Sequence, residues 1–180
     1  MLQIILIILA GAIGALLVIV AFRPSAFHIA RTAAISAPAP EVFAQINDFR
    51  NWPAWSPWEG VDPAMKRVYE GEPAGTGAVY SWSGNRQIGE GRMIITESRP
   101  HELIRIKLEF LKPFAATHSA EFLLKPDGDK TSVTWSMSGT NNFIAKGISL
   151  LMNMDKLIGG QFEKGLQQLT RAVEAASSKR

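Results

Sequence analysis

The chain has no cysteine, only three histidines, and no charged side chain in its first 22 residues. Without cysteine there are no disulfides, thiol nucleophiles or thiolate metal sites, and no redox indication of compartment. His28, His101 and His118 show no H-x-x-x-H or comparable ligand spacing, so no metal centre is expected. Nucleophile elbows, phosphate loops and dinucleotide fingerprints are also missing. Gly89-x-Gly91 by itself reads as a bulge or sharp curvature in a sheet, and no cofactor is implied. An excess of one charge sign is lacking too: 19 Lys plus Arg stand against 16 Asp plus Glu, scattered along the chain. That balance argues against a nucleic-acid partner.

The uncharged opening is an apolar run from Leu2 to Phe22 in which Gln3 is the only strongly polar member. Its length suits an α-helix crossing a hydrocarbon core of about 30 Å. No Lys or Arg precedes it, it exceeds a usual signal-peptide core, and no clear small-x-small cleavage site follows. Residues 1–23 therefore read as an uncleaved, single-pass membrane anchor. Arg23 and Arg31, the first positive side chains, lie just after it, and the positive-inside bias places the following domain in the cytoplasm. Ala10 with Gly14, and Gly11 with Ala15, share helix faces on which a second span can approach for self-association, although Gly and Ala are also ordinary in spanning helices.

Residues 24–176 suffice for one domain with a substantial core, and 177–180 form a polar tail. Phe27 to Ser36 reads as a strand stopped by Pro38 and Pro40. Val42, Phe43, Ile46 and Phe49 then share one face of a short helix. From Lys66 the period becomes two. Tyr80 and Trp82 alternate with Val79, Ser81 and Ser83, and a further strand covers Gly89 to Ser98. Ile104, Ile106, Leu108 and Phe110 oppose Arg105, Lys107 and Glu109, which marks an antiparallel sheet with one dry face. Ala116, His118, Ala120, Phe122 and Leu124 repeat the pattern, as do Val133, Trp135 and Met137. Finally Ile144, Ile148, Leu151, Ile158, Phe162, Leu169 and Val173 recur at three-to-four spacing, predicting one amphipathic helix from Phe143 to about Ala176. A bend is expected at Gly159-Gly160.

Strand, two short helices, a meander and a long last helix, with Ala37-Pro-Ala-Pro-Glu-Val-Phe-Ala-Gln-Ile-Asn-Asp-Phe at the first strand-to-helix junction, resembles the helix-grip layout of the SRPBCC superfamily, also called START-like or Bet v 1-like. Asn51-Trp-Pro-Ala-Trp-Ser-Pro-Trp-Glu, Phe110-Leu-Lys-Pro-Phe and Met152-Asn-Met-Asp-Lys narrow the resemblance to bacterial polyketide cyclase/dehydrase-like members with an N-terminal transmembrane segment. The resemblance implies an α+β fold in which a curved antiparallel sheet wraps the C-terminal helix around an apolar cavity. It also implies binding of lipids, sterols, polyketides or other hydrophobic molecules, with a minority of members acting as cyclases or hydrolases.

Trp52, Trp55 and Trp58 suit either the mouth of such a pocket or a core plug at one end of the sheet. On this reading the cavity is lined by Trp55, Trp58, Tyr80, Trp82, Ile106, Leu108, His118, Phe122, Trp135, Met137, Leu151, Asp155 and Ile158. His118 and Asp155 are the candidates for chemistry, because each is a polar group on an apolar face and each needs a partner, cavity water or a ligand. They can pair with each other, or Asp155 can meet Arg86, Arg92, Arg105 or Lys107. For each, a satisfied structural hydrogen bond is the plainer alternative. The expected function is binding of a hydrophobic small molecule or lipid by a membrane-tethered domain. The alternatives are a cyclase, dehydratase or hydrolase acting on a hydrophobic carbonyl compound with His118 or Asp155 as general acid or base, and an envelope scaffold whose interior is filled by its own side chains. A continuous apolar cavity favours binding, and polar groups converging inside it favour chemistry.

Overall fold

Residues 1–177 are described by the structure, a computed structural model, apart from the side chains of Leu151 and Ser177. Helix α1 (Leu2–Phe22) is long and apolar enough to span a bilayer, and Val20 is its one buried residue. Three residues then lead into strand β1 (Ala26–Ile35).

Helix α2 (Ala39–Asn47) places Pro40 in its first turn, where a missing N–H costs nothing, and Glu41 beside the positive end of its dipole. It buries Val42, Phe43 and Ile46. Its end is closed by the tryptophans that follow. The Trp52 indole N–H donates to the Ile46 carbonyl at 2.9 Å, and that of Trp55 to the Gln45 carbonyl at 3.2 Å. These are last-turn carbonyls without a helical partner. Both rings sit on or next to a 3-10 helix (Phe49–Ala54), started by Asp48 accepting from the Arg50 N–H at 2.8 Å.

Strands β2 (Lys66–Gly71), β3 (Ala78–Ser83), β4 (Glu90–Arg99), β5 (Leu103–Lys112), β6 (Ala116–Asp127) and β7 (Lys130–Thr140) complete one antiparallel sheet of order β1-β7-β6-β5-β4-β3-β2. Gly89 takes a positive φ of 67°, and the β4–β5 register slips at Glu90/Gly91, so the glycine pair marks a bulge as expected. The alternation divides the sheet. Ile95, Ile106, Phe122, Val133, Trp135 and Met137 form a dry inner face, whereas Arg92 with Glu109, and Arg105 with Glu97 and Glu121, form ion pairs on the outer one.

The C-terminal region departs from the single bent helix. It breaks at Met152-Asn153 into α3 (Phe143–Leu151) and α4 (Met154–Ser177), and α4 runs unbroken through Gly159 and Gly160. Asn153 explains the break, because its side-chain oxygen accepts from the Lys156 N–H at 2.9 Å and starts a new helix. Gly159 serves clearance instead of bending: a Cβ there would overlap the Arg31 guanidinium. Helix α4 buries Phe162, Leu166, Leu169 and Val173 and lies mainly on β1, with contacts to β7, α2 and the 3-10 helix. Helix α3 leaves the sheet and packs on α1. This is the helix-grip fold.

Candidate functional site

One end of the grip is closed by aromatic rings. Trp135 stacks on Phe162 of α4 at 4.5 Å between centroids and on Phe122 at 4.7 Å. Trp52 and Trp55 meet the same rings edge-on, and half-buried Trp58 covers Trp135 at 5.4 Å. Offset and edge-to-face contacts at these distances are the favourable geometries for aromatic pairs. Trp55, Tyr80, Ile106, Phe122, Trp135 and Met137 are buried in this packed core, with Trp82 at its margin edge-on to Phe110. The tryptophan motif is therefore a plug at this end.

The other end of the inner face is only partly covered. Beyond Met137 come Gly139 on β7, His118 on β6, Leu108 and Phe110 on β5 and Phe27 on β1, all half-buried. Helix α4 begins with Met154 and meets β1 at Arg31, so its body lies over the closed end, and Ile158 is its half-buried contribution near the boundary. His118 stands between the edges of Phe27 at 5.1 Å and Phe110 at 5.9 Å. The missing Gly139 side chain makes room for it, since a Cβ there would strike the imidazole. Its Nδ1 is buried without a hydrogen-bond partner. A recess of about 440 Å³ that touches His118 and Gly139 lies on the outer face of the sheet, where Lys107, Ser119 and Ser138 line it.

Burial pushes the His118 imidazole below its ordinary value, opposed in part by the neighbouring Thr117 backbone. Neutral imidazole carries one donor and one acceptor, and here it can hold one polar atom of an otherwise apolar molecule. With the folded pKa below the unfolded one, the unfolded chain binds more protons as pH falls below about 6.5. His118 therefore lowers stability progressively from that pH downward. His118→Phe should remove this term and raise Tm more at pH 5 than at pH 8, as thermal unfolding at the two pH values would measure; an equal shift at both would place the imidazole in water.

Asp155 does not reach His118. It is largely exposed in the first turn of α4, and the Arg31 guanidinium donates to its two carboxylate oxygens at 2.9 and 3.1 Å and to Glu163 at 2.7 Å. The hydrogen bond from Arg31 holds the Asp155 carboxyl below its usual range. Arg92, Arg105 and Lys107 instead join the outer ion pairs. Leu151, also expected at the cavity, has a side chain outside the described residues, as do residues 178–180 of the expected tail.

A buried polar cluster escaped sequence reasoning. Glu59 is buried, accepting from Arg67 at 2.7 Å and from the Tyr80 hydroxyl at 2.7 Å. Desolvation, reinforced by the bond to Glu59, pushes the Tyr80 phenol well above its ordinary value. The only signal was the position of Glu59 at the end of the tryptophan motif. A recess of about 430 Å³ lies beside it, lined also by Lys164 and Gln168.

With this geometry, comparison with known proteins decides the family. Residues 26–174 match the family described as "Polyketide cyclase / dehydrase and lipid transport". The chain belongs to that family. Solved structures agree on the fold. A protein of Thermus thermophilus is 17% identical, with 84% of this chain and 99% of that one covered and a TM-score of 0.61. A protein of Chromobacterium violaceum is 16% identical, with 82% and 96% covered and a TM-score of 0.60. The di-domain ARO/CYC StfQ from the steffimycin biosynthetic pathway is 10% identical, with 86% and 52% covered and a TM-score of 0.60. Comparison with curated proteins gives no significant match.

Proposed function

We propose that this protein is a membrane-tethered carrier or receptor of a hydrophobic small molecule or lipid, with residues 1–23 as anchor and residues 24–176 as the binding domain. One observation supports this reading most. At the uncovered end of the grip, the His118 imidazole sits among Phe27, Leu108 and Phe110, with its unpartnered Nδ1 packed on Gly139. That is an apolar wall with one polar contact, as sites for hydrophobic ligands are usually built. Tethering to the bilayer raises the local concentration of the domain near a lipid ligand. The family, whose description includes lipid transport, supports the same direction. Catalysis receives less support, because the two candidate acid–base groups are apart and Asp155 is engaged by Arg31.

The test is saturable binding of a fluorescent fatty-acid or sterol analogue to the full-length protein in nanodiscs. Leu108→Trp, which fills the open end, should weaken binding at least tenfold while leaving Tm close to that of the parent. No saturable binding across acyl, sterol and aromatic probes would favour an interior occupied by its own side chains.

A further inference from the structure

Helix α3 and the residue after it carry four large apolar side chains in the open: Phe143 (49% exposed), Ile144 (65%), Ile148 (43%) and Met152 (47%). With each residue turned by about 100° from the last, these four occupy one half of the helix circumference. The other half faces α1. Lys146 Nζ donates to the Ala21 carbonyl at 3.3 Å, and the Arg23 guanidinium donates to the carbonyl and hydroxyl of Ser149, each at 3.2 Å. Helix α3 is thus fixed to the last turn of α1 with its apolar face uncovered.

A second apolar projection stands at the same end of the sheet. The end of β5 exposes Leu111, and the β5–β6 loop exposes Phe114 (72%). Phe110 pairs with Ala116, His118 with Gly139, and Thr140 with Ala26, so this loop extends past the end where β1 begins. The three residues between Phe22 and Ala26 allow a separation of at most about 14 Å. Strand spacing then places the loop about 10–15 Å from β1 across the sheet. Both projections, and the half-covered His118 region with them, surround the point where α1 leaves the fold.

The chemistry of this end fits a lipid surface. Helix α1 is about 31 Å long, the thickness of a hydrocarbon core, so Ala21 and the helix fixed to it lie at the bilayer boundary. Large apolar groups on one face, with the cations Arg23 and Lys146 on the opposite side, are the composition of an interfacial helix. We propose that α3 and the β5–β6 loop form a docking platform that seats the open end of the grip on the leaflet from which α1 emerges. The inference rests on the membrane-tether reading. It gives that reading a direction: a hydrophobic ligand passes between bilayer and domain at the His118 end.

The lack of native cysteine allows single sites to be labelled in the full-length protein. Ile13→Cys, Phe114→Cys, Ile144→Cys and Asp129→Cys variants would carry an environment-sensitive fluorophore in phosphatidylcholine/phosphatidylglycerol vesicles containing brominated acyl chains. Labels at 13, 114 and 144 should be blue-shifted and quenched by the brominated lipid, while the label at 129, in the β6–β7 turn at the opposite end, should report water. Quenching at 13 with water-like emission at 114 and 144 would overturn the platform and leave the tether intact. An unquenched label at 13 would overturn the tether and the platform with it. Blue-shifted but unquenched labels at 114 and 144, with energy transfer between differently labelled copies, would assign the surface to a second copy and also overturn the proposal.

Discussion

Trp135→Ala should lower the stability of the domain by about 3–5 kcal/mol, the range for deleting a buried aromatic side chain from a core that cannot collapse around the gap. Trp135 is 3% exposed, stacked between Phe122 and Phe162 and flanked by Trp52, Trp55 and Trp58. Its neighbours are held in place from outside: the Trp52 and Trp55 indoles by the carbonyls that end α2, Phe122 by the sheet, and Phe162 by α4. None can slide into the gap without giving up those contacts. For a domain of this size the loss corresponds to a fall in Tm of roughly 6–20 °C. Thermal unfolding followed by near-ultraviolet circular dichroism would measure it, and Trp135→Phe should lose less than half as much. A loss under about 1 kcal/mol would mean that the ring borders open space, and the description of a closed end would fail.

The strands were legible because each has a single dry face, and a period of two shows which residues turn inward. The same pattern does not show how far a covering helix reaches. Trp135 and His118 are therefore equivalent on parity, although one lies under α4 and the other beyond its start. The helix break is written in Asn153, an N-cap residue, but the apolar spacing on either side masks it. Asp155 departs from expectation for a related reason. Counted along one continuous helix it belongs to the apolar stripe, whereas in the first turn of α4 a carboxylate suits the helix dipole and projects toward Arg31. Arg31 itself shares parity with Ile29, Ala33 and Ile35 and so faces α4, but the weak alternation of β1 hides it. Burial of Glu59 was not legible, because it depends on Arg67 and Tyr80 arriving from two later strands.

Glu59→Ala should cost about 3 kcal/mol, the low end of the range for removing one member of a buried ion pair. The Glu59 side chain is only 7% exposed while Arg67 retains 25% exposure, so water can recover part of the guanidinium once its partner is gone. The Tyr80 hydroxyl, 2.7 Å from Glu59 on a buried residue, has no such recourse and would lose its acceptor. Glu59→Gln keeps an oxygen for both donors and removes only the charge, so its loss should be clearly smaller. The phenol gives an independent readout. Its folded pKa lies above the unfolded value of about 10, so its contribution is complete below pH 10 and is lost as pH rises beyond that value toward the folded one. Tyr80→Phe should flatten the alkaline side of the stability profile, and Glu59→Ala should flatten it in part, because the raised pKa owes more to desolvation than to the carboxylate. Denaturant melts of the three variants at pH 8 and pH 10.5 would measure both effects. If Glu59→Ala matched the parent at both pH values, the carboxylate would have to lie in water, and the three groups would not be acting as one buried anchor between the tryptophan motif and the β2–β3 edge.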